Sequence, residues 1–268
     1  MGDLSGLKAL VTGSGTGIGK GIAIELAKRG AQVVIHYAHN SKGAEEALEA
    51  IRMAAGNAAG SAFTLKGDLS IVAACRGTVD RAAELMGGLD ILVNNAGVTK
   101  TQDFFDVEES DFSFLFDINI RGYFFCSQRA ALHMKKNGFG RIVNIASFHG
   151  FGGVKGYSVY SATKGAIISF TRQLAIELIN TGITVNAIAP GAIEVERYYE
   201  NNPNYSREKV SEVVPMGRVG MPSDVANSVA MFATRDSGFI TGQILCVDGG
   251  SQAELSLNAV HRIRNKYA

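Results

Sequence analysis

The short apolar run Leu7-Lys8-Ala9-Leu10-Val11 passes without a break into Thr12-Gly13-Ser14-Gly15-Thr16-Gly17-Ile18-Gly19, and a helix-compatible stretch follows through Arg29. Few folds accommodate that order. A buried strand, a glycine turn and a helix N-terminus in direct succession open a parallel βαβ unit, and N–H groups exposed by the turn can approach a pyrophosphate closely. Two related phosphate motifs do not fit. A P-loop needs Gly at Ser14 and Ser or Thr at Gly21, and the G-x-G-x-x-G fingerprint from Gly13 needs Gly at Ile18. What stands here is T-G-x-x-x-G-x-G.

Strand and helix then alternate. Gln32 to Tyr37 reads as strand, Lys42 to Ala55 as helix, Ala62 to Lys66 as strand, Ser70 to Met86 as helix and Leu89 to Val93 as strand. The rhythm predicts an α/β protein, a doubly wound Rossmann-type sheet with a ligand crevice at the carboxyl ends of its strands. The pattern continues through a long helix reaching about Lys136, strands at Arg141–Ala146 and Ile183–Ala189, a helix at Pro222–Thr234 and a strand at Gln243–Val247. Residues 192–215 form a long polar and aromatic stretch, read as a lid because it leaves a strand end beside the crevice. A basic tail at 251–268 closes what is expected to be one domain spanning 1–268.

Of the 268 residues 46% are hydrophobic and 19% charged, which suits one domain with a full core. A net charge of +1 gives no electrostatic case for nucleic acid or an anionic membrane. No apolar run reaches the roughly 18 residues of a membrane span. Cys75, Cys126 and Cys246 are too scattered for a disulfide framework, so a reduced, cytoplasmic setting is expected.

The reactive candidate is Tyr157-Ser158-Val159-Tyr160-Ser161-Ala162-Thr163-Lys164. On a helix, Tyr160 and Lys164 share one face, a turn apart. A phenol titrates near ~10 in water, and an ammonium one turn away favours its ionised form. The pair is expected to bring the phenol toward the working range for moving a proton on or off a substrate oxygen. Ser147, at the end of the run Arg141–Ala146, can hydrogen-bond the same oxygen. Taken singly, a Tyr-x-x-x-Lys is most often an ordinary helix surface. Other chemistries fare worse: Gly156-Tyr157-Ser158-Val159-Tyr160 breaks the hydrolase elbow at its last position, and His36-Tyr37-Ala38-His39 lacks further metal ligands, so no metal is expected.

Taken together, the glycine turn, Gly67-Asp68-Leu69, Asn94-Asn95-Ala96-Gly97, Asn119, Ser147, Tyr160-x-x-x-Lys164 and Pro190-Gly191 resemble the short-chain dehydrogenase/reductase family, in order, from Leu7 to Gly250. The resemblance implies a seven-stranded sheet, a nicotinamide cofactor and a homotetramer. It implies that Tyr160 is the general acid/base, that Lys164 lowers its pKa and binds the nicotinamide ribose, and that Ser147 orients the substrate oxygen. Asn119 matches a residue holding a water behind the lysine. The implied cofactor contacts are Gly13, Ser14, Thr16, Gly17, Ile18 and Gly19 in the turn, Asp68 and Leu69 at the adenine, Asn95, Ala96 and Gly97, and Pro190, Gly191 and Ile193 at the nicotinamide. Read without the family, Asp68 is equally a helix N-cap and the amides of Asn94 and Asn95 equally a brace for the sheet. Val195 stands where the family often has a carboxamide-binding Thr.

Cofactor choice follows from the residues. NAD sites place an acid about 20 residues past the glycine turn, and none occurs between Leu26 and Ala44. Tyr37, His39, Asn40 and Ser41 can donate to a 2′-phosphate instead. NADP(H) is therefore expected over NAD(H), with dual use compatible. Ser147, His149, Tyr157 and Glu194 are the expected substrate contacts, in a pocket leaning to a sugar, polyol or hydroxy-ketone. The alternative is an acyl-carrier thioester, disfavoured because Phe125 and Ile176 stand where that branch carries arginines. A non-catalytic nucleotide sensor is the alternative of another class. Phe124, Phe125, Leu132, Ile168, Leu174 and Leu178 put apolar groups on more than one helix face, which predicts subunit contacts.

Overall fold

The computed structural model describes residues 3–55, 62–201 and 203–254. The apolar runs become seven parallel strands: β1 (Lys8–Val11), β2 (Gln32–Tyr37), β3 (Ala62–Lys66), β4 (Ile91–Asn94), β5 (Gly140–Ile145), β6 (Ile183–Pro190) and β7 (Ile244–Val247). Their order across the sheet is β3-β2-β1-β4-β5-β6-β7. Strand order reverses between β1 and β4, which splays the connecting chains apart and opens a crevice beyond the strand ends.

The helices are α1 (Gly17–Lys28), α2 (Ser41–Ala55), α3 (Val72–Met86), α4 (Glu109–Phe116), α5 (Gly122–Asn137), α6 (Ser158–Glu177), α7 (Glu196–Asn201), α8 (Arg207–Val213) and α9 (Pro222–Ala233). Alternate strand residues enter opposite cores because side chains in a strand alternate faces. Ala9, Val11, Val33 and Ile35 pack with Ile22, Leu26, Val225 and Val229 on one face. Leu10 and Val34 pack with Cys75, Val79, Cys126 and Met134 on the other. Burial on both faces explains why β1, β4 and β6 read as continuous apolar runs rather than alternating ones.

Three local features add to the sequence reading. The long helix to Lys136, which Asp117-Ile118-Asn119 is expected to open or interrupt, is two helices joined by a π turn over Asp117–Arg121, closed by the Gly122 N–H donating to the Asp117 carbonyl. Residues 192–215 carry two short helices, α7 and α8, with the Ser206 hydroxyl capping α8 by accepting from Lys209 N at 3.2 Å. Helix α3 starts at Val72 with Ile71 in the N-cap position, so Asp68 does not cap it. Asp68 instead accepts from Ser70 N and Ser70 Oγ, at 3.0 and 2.8 Å, in a tight turn ahead of the helix. Residues 255–268 of the expected basic tail lie outside the described residues. No helix among the described residues is long and apolar enough to cross a membrane.

Candidate active site

The reactive side chains come from three elements meeting at the crevice. Ser147 lies just past β5, buried, and its hydroxyl accepts from His149 N at 3.2 Å. Tyr160 and Lys164 project from the first turns of α6. Lys164 is buried, and its Nζ donates to the Ile145 carbonyl at 2.9 Å. That carbonyl also accepts from the Tyr123 hydroxyl of α5 at 3.1 Å. The ammonium nitrogen sits 5.6 Å from the Tyr160 ring centroid. Gly97 lies against both neighbours: a Cβ there would stand 3.2 Å from Asn119 Oδ1 and 3.8 Å from Lys164 Nζ.

The electrostatics depart from the expected pairing. Burial pushes the Tyr160 phenol up to about 12, against a smaller downward pull from its hydrogen bond to Ser147. Burial pushes Lys164 down to about 7. Desolvation dominates both shifts, because removing water disfavours the charged form of each group. The phenol is held in its acid form.

Asn119 does not present its side chain to the crevice. Its Oδ1 accepts from Val98 N at 2.8 Å, and its Nδ2 donates to the Val98 carbonyl at 2.9 Å and to Thr163 Oγ1 at 3.1 Å. Thr163 in turn donates to the Tyr160 carbonyl at 2.7 Å. The π turn and the Asn119 amide thus lock α6 to the segment after β4.

The glycine turn is braced on every side. Thr12 Oγ1 accepts from Asn95 N and Ala96 N at 2.9 and 3.0 Å. Asn95 Nδ2 donates to the carbonyls of Thr12 and Gly13, both at 2.9 Å, so this amide braces the turn. Ser14 is buried; its hydroxyl donates to the Val11 carbonyl at 2.6 Å and accepts from His36 N at 3.1 Å. The Ser14 hydroxyl is thus spent inside the turn. His36 Nδ1 accepts from Gly13 N at 3.1 Å while Nε2 meets the Gly67 carbonyl at 3.0 Å. Burial pushes its pKa down to about 4, which suits a neutral ring bridging two loops. Leu69 packs in the core and its carbonyl accepts from the Cys75 thiol.

The turn still fits a dinucleotide. A Cβ at Gly13 would come within 2.7 Å of Ala96 Cα, and one at Gly19 within 2.4 Å of Asn95 Nδ2, so only glycine lets the loop close on the crevice. Thr16 is exposed at the N-cap of α1, whose first turn carries no acid. Beyond β2, the Asn40 carboxamide oxygen caps α2 through Gly43 N at 2.8 Å; His39 and Ser41 are exposed, Tyr37 half-buried, and the first turn of α2 also lacks an acid. On the far side, β6 ends at buried Pro190, and Gly191 packs so closely on Asp248 that a Cβ would meet its Cα at 2.7 Å. Ile193 is buried and bridges to Gly220.

The 240-residue span 13–252 matches the family model described as enoyl-(acyl carrier protein) reductase. The chain belongs to the short-chain dehydrogenase/reductase family. It is similar to tetrahydroxynaphthalene reductase of Pyricularia oryzae, 36% identical over 92% of this chain and 90% of that protein. Elsinochrome reductase 1 of Elsinoe fawcettii is 40% identical over 92% of this chain and 95% of its own length. An Agrobacterium tumefaciens structure described as a candidate 2-deoxy-d-gluconate 3-dehydrogenase, with NADP bound, superposes with a TM-score of 0.82 at 35% identity, covering 94% of this chain and 98% of that one. As a member of the family the chain is an oxidoreductase acting on carbonyl or CH–OH groups.

The expected substrate contacts divide. His149 and Tyr157 pack together, ring centroids 4.8 Å apart, and His149 lies 5.4 Å from Tyr160. Burial lowers the His149 pKa, and its buried Nδ1 has no hydrogen-bond partner. Glu194 is withdrawn from the crevice, correcting the expectation. It is buried, with Arg207 Nε donating to Oε1 at 3.0 Å and Arg207 Nη2 and the Tyr199 hydroxyl completing the set. The Arg207 guanidinium holds its carboxyl below the usual range. Sequence reasoning missed Tyr123, Thr163 and the Ile145 carbonyl as supports. Thr163 alone carried a signal, lying inside the Tyr-x-x-x-Lys segment.

Proposed function

We propose that the protein interconverts a ring ketone and its secondary alcohol with NADP(H), on a flat hydroxylated substrate. The observation carrying this reading is the Ser147–Tyr160 hydroxyl pair beside Lys164, at the crevice mouth, with the phenol kept protonated. Tyr160 donates its proton to the carbonyl oxygen during reduction and takes one from the alcohol during oxidation. Ser147 hydrogen-bonds the same oxygen and orients it. Lys164, fixed by the Ile145 carbonyl, supplies a hydrogen-bond donor beside the phenol and for the nicotinamide ribose. Asn119 positions α6 through Thr163. The nicotinamide, when bound, supplies or accepts the hydride.

Thr16, Gly17, Ile18 and Gly19 would cradle the pyrophosphate by main-chain N–H groups, while Gly13, its own N–H held by His36 Nδ1, lets the turn close on Ala96. Asp68 and Leu69 would border the adenine, Ala96 and Gly97 the ribose, and Pro190, Gly191 and Ile193 the nicotinamide. His39, Asn40 and Ser41, at the acid-free start of α2, favour a 2′-phosphate.

Substrate class rests on the walls. His149 and Tyr157 present aromatic faces beside the phenol, and Tyr198 of the lid lies near enough for Tyr160 to feel it. With Glu194 closed off, the lid retains fewer polar groups for an open polyol than its sequence suggests. The relatives named for hydroxylated fused rings agree with that wall. A sugar or polyol is the second reading, favoured by the gluconate-type relative. The deciding assay sets a hydroxytetralone against a sugar and polyol panel and an acetoacetyl thioester, each with NADPH/NADP and NADH/NAD. Efficient turnover of the tetralone with NADPH is expected. Turnover confined to the thioester, or preference for NADH, overturns the substrate or the cofactor reading respectively.

Assembly belongs to the same proposal. Phe124, Leu132 and Ile176 on α5 and α6 are 44%, 52% and 64% exposed, whereas Phe125, Ile168, Leu174 and Leu178 pack against this chain's own core. The exposed set suits another copy of the chain, as a homotetramer. Light scattering at micromolar concentration is expected to exclude a monomer.

A further inference from the structure

The lid carries two carboxylates two residues apart, and they do opposite things. Glu194 is buried and held by several donors within the lid itself. Glu196 is exposed and reaches outside the lid: its Oε2 accepts from Gly17 N, 179 residues earlier in the chain, at 3.2 Å. Gly17 is the first residue of α1 and holds a φ of +56°, a backbone state that favours glycine. Val195 presses on the same spot, since a Cβ on Gly17 would stand 3.2 Å from Val195 Cγ1. Two successive lid residues therefore cover the first amide of α1.

The amides at a helix N-terminus attract anions, and α1 has no acid of its own in the first turn to satisfy them. The group found there is a carboxylate borrowed from the lid. We infer that Glu196 stands in for a phosphate of the dinucleotide, so that nucleotide binding must displace it and lift the first turn of the lid. This deepens the nucleotide-dependent reading above and rests on it. A carboxylate and a pyrophosphate cannot share one N–H without like charges in contact. Each therefore weakens the other, and the coupling is reciprocal. The geometry also says which contact yields. Glu196 makes one exposed hydrogen bond, whereas Glu194 and Arg207 keep α7 and α8 together as a unit while it moves. Arg197, the next residue, lies close enough to Tyr160 for its charge to favour the phenolate, so displacement at Gly17 also changes what lies over the reactive phenol.

The test is direct titration of nucleotide, read by fluorescence, for the wild type, Glu196→Gln and Glu196→Ala at low ionic strength. Both variants are expected to bind NADPH about two- to fivefold more tightly, and NADH by the same factor, because both share the pyrophosphate. The gain should shrink with added salt, as the carboxylate is exposed. Unchanged or weaker binding in both variants overturns the inference. A gain confined to NADPH also overturns it, since the carboxylate would then act at the 2′-phosphate. If the wild type binds neither nucleotide, the oxidoreductase reading beneath it falls as well.

Discussion

The reactive shelf and the lid are both rich in polar side chains, but they are held in opposite ways. On the shelf, Lys164, Tyr123 and Asn119 are buried and bound to main-chain groups, chiefly the Ile145 carbonyl and the Val98 peptide. Beneath them a buried chain crosses the sheet: Asn94 Nδ2 donates to Ser127 Oγ and Asn144 Oδ1, both at 2.9 Å, and Asn144 Nδ2 donates to Thr171 Oγ1 at 3.0 Å. Fully partnered buried networks of this kind rigidify their surroundings. In the lid, Arg207 is 55% exposed and Glu196 makes a single solvent-facing bond. The solvent-facing Glu196 bond is screened by water and salt and costs little to break, while the Glu194–Arg207 pair joins the lid only to itself. Chemistry is thus mounted where movement is costly, and access is controlled where it is cheap.

The contrast breaks most sharply at the phenol. Tyr160→Phe keeps the ring packing and removes the proton, so kcat/KM is expected to fall about 10²- to 10⁴-fold with the melting temperature nearly unchanged. Near wild-type turnover would remove Tyr160 from the mechanism and the shelf with it.

Lys164→Met is expected to lower kcat on the order of 10²-fold, the scale of losing one aimed donor. Its stability effect sharpens the comparison. The folded pKa of about 7 lies below the ordinary value of 10.5, so the unfolded chain binds more protons between them. Burying this lysine therefore costs stability in full below about 7, and the cost fades as pH rises toward 10.5. Lys164→Met should melt above the wild type at pH 6, by a margin that narrows by pH 9.5.

Alcohol oxidation needs the phenolate and ketone reduction the phenol. With Tyr160 pushed up to about 12 in this structure, oxidative kcat/KM should climb up to tenfold per pH unit and still be rising at pH 9, while reduction, which uses the protonated phenol, stays nearly flat over the same range. A pH profile from 6 to 10, flat in the oxidative direction, would contradict a phenol base.

Smaller changes belong to the lid. Arg207→Ala leaves Glu194 buried without its guanidinium, so proteolysis within residues 196–213 should accelerate and substrate KM rise about threefold with kcat little changed. An equal fall in kcat would mean that the lid is part of the shelf. Val195→Thr is expected to alter nucleotide KM by less than about twofold, since Val195 packs as an apolar cover on Gly17 and the first core cluster.

What could be read in the sequence was local. The run Leu7–Val11, the glycine turn and the spacing of Tyr160 and Lys164 each state their geometry within a few residues, because strand, turn and helix periods are short-range properties. From these came the order of strands and helices, the crevice and the reactive pair. Where the sequence misled, the missing partner was distant. Nothing near Ser14 says that His36 will donate to its hydroxyl, nothing near Glu194 says that Arg207 will claim it, and Asp68 resembles a cap until Ile71 is found in that position. The shift of Tyr160 failed for the same reason. Spacing along a helix shows that an ammonium is near, but desolvation depends on how much of the surrounding fold excludes water from both groups. The sequence by itself determined which groups stand on which strand end and helix face. Only the tertiary structure decided which of them keep a free hydrogen-bonding atom for a ligand, because burial and partners are sums over segments far apart in the chain.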